Sequence, residues 1–105
     1  MDIIIMYIIN NIGFFMKNEF QNKLIYRSWH RGTKELDLIL GNFIENNISS
    51  MKEEEIKLYE DLLASEDPEI YNWIVKSENP PNKSLNILIK KIRSYLQSNN
   101  IDVLN

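Results

Sequence analysis

The chain contains no cysteine, one histidine and three glycines in 105 residues. Without cysteine it can form no disulfide and offers no thiolate to a metal or a substrate. A single histidine excludes metal sites that need two histidines. The three glycines lie too far apart to make either of the glycine-rich loops that hold nucleotide phosphates. Most of the common routes to enzyme catalysis are therefore excluded.

The size and charge of the chain are those of one ordinary globular domain. Charged residues make up 26% and hydrophobic residues 44% of the sequence, a balance typical of a folded protein. A chain of this length has room for one modest core. Twelve Lys and Arg residues against fifteen Asp and Glu residues give a net charge of −3. That charge gives no support to nucleic-acid binding, and we expect none.

The first sixteen residues differ in character from the rest. They carry one charge, on Asp2, and an apolar run at residues 3–9. That run is shorter than the roughly 20 apolar residues that span a bilayer, and it lacks the basic residues of a secretory signal or a transit peptide. Three interpretations stay open: an ordered extension, a membrane-surface segment, or the product of an upstream start codon with Met16 as the natural start. We favour the last, and we expect no stable membrane insertion.

Residues 17–100 have the pattern of one helical domain, and residues 101–105 are expected to be a frayed tail. Apolar residues recur with a period of 3.6 and show no sustained two-residue alternation, which predicts helices and no strands. We expect five short helices, and hence an all-α, compact five-helix bundle. Their approximate positions are residues 18–29 and 33–46, a stretch that starts at Ser50, and residues 68–76 and 84–98.

Capping residues mark several of the predicted helix ends. Ser50, with Glu53 three residues later, has the spacing of a capping box. Asp67 followed by Pro68 is typical of an N-cap and a first helical residue. Gly32 is expected to end the first helix, because glycine tolerates the positive φ that is common there.

The apolar stripes of the helices predict the core. In the first helix the stripe consists of Phe20, Leu24 and Ile25. Trp73 is expected in the core, and Tyr71 partly exposed. The other stripes are Leu36, Ile39, Leu40, Phe43 and Ile44; Ile56, Tyr59, Leu62 and Leu63; Ile70, Trp73 and Ile74; and Leu85, Leu88, Ile89, Ile92 and Leu96. No heptad seam extends along the helices, and we expect a monomer.

Few side chains are placed for chemistry. His30 is the only group whose ordinary pKa lies near neutrality, but a lone histidine is a poor catalyst, so we expect it at the edge of a contact surface. The carboxylates at 53–55 diverge around their helix, and so do Glu35 and Asp37. We therefore assign no catalytic residue and no metal ligand.

The segment from Arg31 to Glu35 is the most unusual local feature. Gly32 lets another backbone come close because it has no Cβ, and a cation and an anion flank it. One interpretation is an ordinary helix end between surface charges. The other is a small docking platform with a polar rim. The residues alone favour the first by a small margin and leave both open.

Two blocks of the sequence resemble those of the succinate dehydrogenase assembly factors, the flavinator family. Residues 31–37, Arg-Gly-Thr-Lys-Glu-Leu-Asp, resemble the family's R-G-x-x-E-L-D motif. Residues 62–73 resemble its L-L-x-x-x-D-P-x-[LI]-[FY]-x-W motif. Both blocks occur in the family's order, and the resemblance covers about residues 24–96.

The resemblance implies a small five-helix domain that binds the flavoprotein subunit of succinate dehydrogenase, and in some bacteria that of fumarate reductase. Such proteins promote covalent attachment of FAD to a histidine of that subunit. The family's key residues fall at Arg31, Gly32 and Glu35, with Asp37 at a further motif position. FAD is then the cofactor of the client protein and is not held stably by this chain. We expect a location in the bacterial cytoplasm.

Two other classes of function stay open: a small helical antitoxin or regulatory binding protein, and a small enzyme or flavin carrier. The chain has no nucleophile–base pair and no phosphate-binding loop, so we expect it to act by binding. Gly32→Arg is expected to block docking with little loss of folding, and Glu35→Ala to leave the bundle intact.

Overall fold

A computed structural model describes Ile4 and residues 19–101, and within residues 19–101 the all-α bundle is confirmed. The rest of the predicted extension at 1–16, and residues 102–105 of the predicted tail, lie outside the described residues. The elements are α1 (Glu19–Trp29), α2 (Lys34–Asn47), a single 3-10 turn (Ile48–Ser50), α3 (Glu53–Leu63), α4 (Asp67–Ile74) and α5 (Lys83–Ser98).

Side-chain caps fix the starts of the two longest helices. The Thr33 hydroxyl accepts a hydrogen bond from the Leu36 N–H at 3.2 Å, and the Asn82 carbonyl oxygen accepts one from the Leu85 N–H at 2.7 Å. Each cap satisfies one of the backbone donors that an α-helix leaves unpaired at its N-terminus. Each of these two helices begins one residue from its predicted start.

The predicted stripes of α2, α3, α4 and α5 are all buried, including Trp73, which is 8% exposed. Helix α1 packs chiefly along α2, and α5 contacts α2, α3 and α4. One core joins the five helices; its members include Leu24, Phe43, Tyr59 and Ile92. No helix in the described part of the chain is long and apolar enough to cross a bilayer.

The predicted stripe of α1 is only partly right. Leu24 is buried and Ile25 packs on the core from its edge, but Phe20 is 45% exposed. Phe20 lies in the first turn of α1, where it lines a surface groove with Met51 and Ile56. A helical period places a residue on a face, but it does not say whether a neighbouring helix reaches far enough to cover that residue.

Three of the predicted caps are wrong. Ser50 ends a 3-10 turn and its hydroxyl donates to the Asn47 carbonyl, so α3 starts at Glu53, after Lys52. Asp67 lies inside α4, after Glu66, and its carboxylate bonds to another segment of the chain. Gly32 does not adopt a positive φ. For Asp67, a bond to the Gly32 N–H, 35 residues away, replaces the local cap.

Gly41, which was not among the predicted site residues, joins α1 to α2. A Cβ at Gly41 would lie 2.5 Å from two ring atoms of Trp29 and closer still to a third. The indole therefore lies against bare backbone, and its Nε1–H donates to the Glu45 carboxylate at 3.0 Å. This contact fixes the last residue of α1, immediately before the segment that leads to α2.

A buried pair of hydroxyl groups joins α1 to α3. Ser28 is fully buried and donates to the Leu24 carbonyl at 2.7 Å, and its oxygen lies 2.6 Å from the Tyr59 hydroxyl. Burial raises the pKa of the Tyr59 phenol, although the hydrogen bond with Ser28 opposes this change. Tyr59 therefore stays a neutral hydroxyl in the core at all ordinary pH values.

Candidate partner-docking site

The connection between α1 and α2 forms a corner on the surface of the bundle. We call residues 30–35 the Gly32 corner. His30, Gly32 and Glu35 are exposed there, and Arg31 is partly buried. The corner is thus open to solvent, as a docking surface requires.

The Arg31 side chain turns inward from this corner. Its Nε donates to the Asp67 carboxylate at 2.8 Å, and one terminal nitrogen lies 2.6 Å from the same oxygen. The terminal nitrogens also donate to the carbonyls of Leu63 at 2.9 Å and Ser65 at 3.1 Å. Only 14% of the Arg31 side chain is exposed. The guanidinium is therefore bonded to the connection between α3 and α4.

Two carboxylates hold consecutive backbone amides of the corner. The Arg31 N–H donates to Asp37 in the first turn of α2, at 2.5 Å. The Gly32 N–H donates to the second oxygen of Asp67, at 2.8 Å. Charge-assisted hydrogen bonds of this kind are stronger than neutral ones. The path of the backbone through the corner is therefore fixed by acidic side chains from two different helices.

The missing Cβ at Gly32 is used by the protein itself. A Cβ there would lie 2.6 Å from the Asp67 oxygen that accepts the Gly32 N–H, so that carboxylate would have to move. The expectation that Gly32→Arg costs little in folding therefore stays a prediction, because the atom that must shift is the end of a side chain. The substitution would disturb the Asp67 contacts as well as any docking surface.

Glu35 differs from Arg31 and Asp37, the other charged residues at fixed positions of the motif. Its side chain is exposed, and no ion pair joins it to another residue in the described part of the chain. It lies in the first turn of α2, where the helix dipole favours negative charge. Glu35 thus presents a carboxylate to solvent beside the exposed Gly32 backbone.

His30 lies on the other side of Gly32. Its ring stacks on Tyr26, with centroids 3.9 Å apart, and its Nδ1 lies 2.7 Å from the Tyr26 carbonyl oxygen. Both residues are exposed. The pair forms a small flat aromatic surface at the edge of the Gly32 corner.

The two sequence motifs meet in space. Leu63 and Asp67 of the second motif hold Arg31 and Gly32 of the first. Tyr71, partly buried as expected, lines a small groove next to this junction. The sequence shows both motifs but not their contact. The opposite charges of Arg31 and Asp67 were the only signal for it, and many other pairs share that signal.

The groups exposed at the corner suit contact with another protein. Among the residues that the structure describes, no three His, Asp or Glu side chains come together as metal ligands. The corner presents a carboxylate, exposed backbone and an aromatic edge. These groups suit hydrogen bonding and close approach to a second protein.

A family model and several known proteins match most of this chain. A family model described as "Flavinator of succinate dehydrogenase" matches residues 22–96. The FAD assembly factor SdhE of Legionella pneumophila (strain Lens) is 36% identical over 73 residues, which are 70% of this chain and 91% of that protein.

Two mitochondrial relatives are longer than this chain. Succinate dehydrogenase assembly factor 2, mitochondrial, from Arabidopsis thaliana is 45% identical over 60 residues, 57% of this chain and 32% of that protein. The protein of the same name from Dictyostelium discoideum is 35% identical over 78 residues, 74% and 55% respectively. The matches thus span about a third and about half of these two relatives. Because the family model covers most of the residues, the chain belongs to the family of flavinators of succinate dehydrogenase.

Proposed function

We propose that this protein is an assembly factor that binds the flavoprotein subunit of succinate dehydrogenase and promotes covalent attachment of FAD to it. Family membership supports the proposal, together with the match over 91% of a bacterial protein named FAD assembly factor. The observation that carries the site assignment is the Gly32 corner, where a fixed and exposed backbone adjoins the free carboxylate of Glu35.

The protein acts by binding and not as a catalyst. It holds the flavoprotein in a conformation in which FAD and the acceptor histidine are aligned. Positioning of reacting groups can lower a barrier by several kcal/mol. The factor must bind that conformation better than the others, because equal affinity for all of them would shift no population.

Three exposed residues of the corner have a role in this binding. Glu35 accepts charge-assisted hydrogen bonds from donors of the flavoprotein. Gly32 presents exposed backbone to the partner, although Asp67 occupies the space that a Cβ would fill. His30 and its stacked partner Tyr26 form the edge of the contact.

FAD belongs to the client protein and is not held stably by this chain. Equilibrium dialysis of the isolated protein with FAD tests this statement. We expect no retention at micromolar protein, whereas tight binding would favour a flavin carrier.

Complementation tests the function and the site together. In a bacterial strain that lacks its own factor, flavin fluorescence of the flavoprotein subunit in a denaturing gel reports covalent attachment. We expect the wild-type chain to restore it and Glu35→Ala to fail. The matched control is Glu54→Ala, because Glu54 is an exposed carboxylate in the first turn of α3, as Glu35 is in α2. Failure of the wild type would refute the function, and equal activity of all three would refute the site.

The same strain identifies the client protein, and a pull-down separates the proposed function from the rival functions. Fluorescence is read separately on the subunits of succinate dehydrogenase and fumarate reductase. Pull-down from native extract should recover a flavoprotein subunit, whereas an antitoxin or regulator would recover a toxin or a cytoskeletal protein. We further propose a monomer that works in the bacterial cytoplasm; light scattering and cell fractionation test these two points.

A further inference from the structure

We propose that Arg31 supports docking through Asp67, as a positioning residue that fixes the Gly32 backbone, and that its guanidinium does not contact the flavoprotein. The proposal rests on the function proposed above. It divides the motif into groups that shape the corner and groups that meet the partner.

The donors of Arg31 are already engaged within the protein. All three nitrogens of the guanidinium bond to Asp67, Leu63 or Ser65. The side chain is only 14% exposed. A partner could take over these donors only if charge-assisted hydrogen bonds within the protein were given up, which makes Arg31 a poor contact residue.

The acceptors of these bonds explain what Arg31 stabilises. Leu63 is the last residue of α3, and a helix C-terminus carries partial negative charge on its free carbonyls. Asp67 is the first residue of α4. Arg31 therefore ties the corner between α1 and α2 to the connection between α3 and α4.

Asp67 passes this constraint on to Gly32. One carboxylate oxygen faces Arg31, and the other accepts the Gly32 N–H. Without Arg31 the carboxylate, whose side chain is 27% exposed, loses the charge that holds it and can turn toward water. The Gly32 N–H then loses its acceptor, and the exposed backbone beside Glu35 is no longer held in one conformation.

Hydrogen exchange measured by NMR on the full chain tests the positioning step without a partner. We expect Arg31→Ala and Asp67→Ala each to speed exchange of the Gly32 amide roughly tenfold, the effect of losing one hydrogen bond. Glu35→Ala is the control and should leave that rate unchanged. If Arg31→Ala leaves the Gly32 rate at the wild-type value, the proposal is wrong.

A double-mutant cycle on flavoprotein binding tests the second half of the proposal. The cycle uses Arg31→Ala, Asp67→Ala and the variant that carries both. If Arg31 acts only through Asp67, the double variant binds the flavoprotein no more weakly than the single variant with the lower affinity. If Arg31 touches the partner, its loss remains after Asp67 is removed, and the two fold-losses multiply. Multiplication would overturn the proposal, as would wild-type affinity in Asp67→Ala combined with weak binding in Arg31→Ala.

A conservative variant keeps the test valid if Asp67→Ala does not fold. Asp67→Asn retains an oxygen for the Gly32 N–H but loses the charge that holds Arg31. We expect it to bind the flavoprotein with an affinity between those of wild type and Arg31→Ala. An affinity below that of Arg31→Ala would contradict the proposed order of action.

The two proposals fail in different measurements. Absence of flavoprotein binding by the wild-type chain would refute the proposed function. The exchange rates need no partner, so they report on the Arg31–Asp67–Gly32 connection in either case.

Discussion

Replacement of Gly41 by alanine should destabilise this protein, although the same change stabilises most helices. Alanine is favoured over glycine in a helix interior by about 1 kcal/mol. At Gly41, however, the new Cβ would lie 2.5 Å from two ring atoms of Trp29. The indole would have to leave its position, which breaks its hydrogen bond to Glu45.

The magnitude follows from these opposing terms. Overpacking of a well-packed contact costs about 1–3 kcal/mol, and the lost hydrogen bond adds about 1 kcal/mol. The gain of about 1 kcal/mol in helix propensity offsets part of these two costs. We therefore expect Gly41→Ala to lower the free energy of unfolding by about 1–3 kcal/mol.

Denaturant unfolding followed by circular dichroism measures this change, and a second background checks its cause. In a Trp29→Ala chain the ring is absent, so Gly41→Ala should now raise the free energy of unfolding by about 1 kcal/mol. Gly41→Ala alone should also weaken flavoprotein binding, because Trp29 adjoins the Gly32 corner. A stabilisation of equal size in both backgrounds would show that the indole does not constrain position 41.

Three further predictions concern other parts of the molecule. Ser77 has a φ of 59°, so Ser77→Gly should raise the free energy of unfolding by about 1 kcal/mol, which thermal melting measures; no change would argue against strain there. Lys91, 2.7 Å from Glu55, lowers the pKa of that carboxyl by its hydrogen bond, with help from the Lys52 N–H. At pH values above the ordinary glutamate pKa, Lys91→Met should therefore lower the free energy of unfolding by about 0.5 kcal/mol. The difference between variant and wild type should fade as the pH falls through the lowered pKa of Glu55, and denaturant unfolding at several pH values checks this sign. His30→Ala should weaken flavoprotein binding less than about fivefold, as expected at the rim of an interface, without lowering the melting temperature; a loss as large as that of Glu35→Ala would move His30 to the centre of the contact.

The sequence predicted the buried faces well because burial follows a local period. In α5, for example, Leu85, Leu88 and Ile92 recur at helical spacing, and all are buried. The spacing within one helix is sufficient for this prediction. Phe20 shows the limit of prediction from helical spacing, since the exposure of this side chain depends on where a neighbouring helix begins.

The contacts that shape the site could not be predicted in this way. Asp67 and Gly32 are 35 residues apart, and Gly41 meets Trp29 across two helices. No local pattern encodes which distant segment will fill the space beside a glycine. The sequence suggested that the missing Cβ of Gly32 admits a partner's backbone, whereas in the structure the Asp67 carboxylate fills that space.

This difference changes what the R-G-x-x-E-L-D motif can be taken to mean. In this chain Arg31 and Asp37 bond inward, and Gly32 leaves room for Asp67. Of the charged residues at the fixed positions of the motif, Glu35 is the one that faces solvent. Loss of function on substitution of Arg31 or Gly32 would thus not by itself show that they touch the partner. A docking surface must be shaped before it can bind, and most of this motif is used for the shaping.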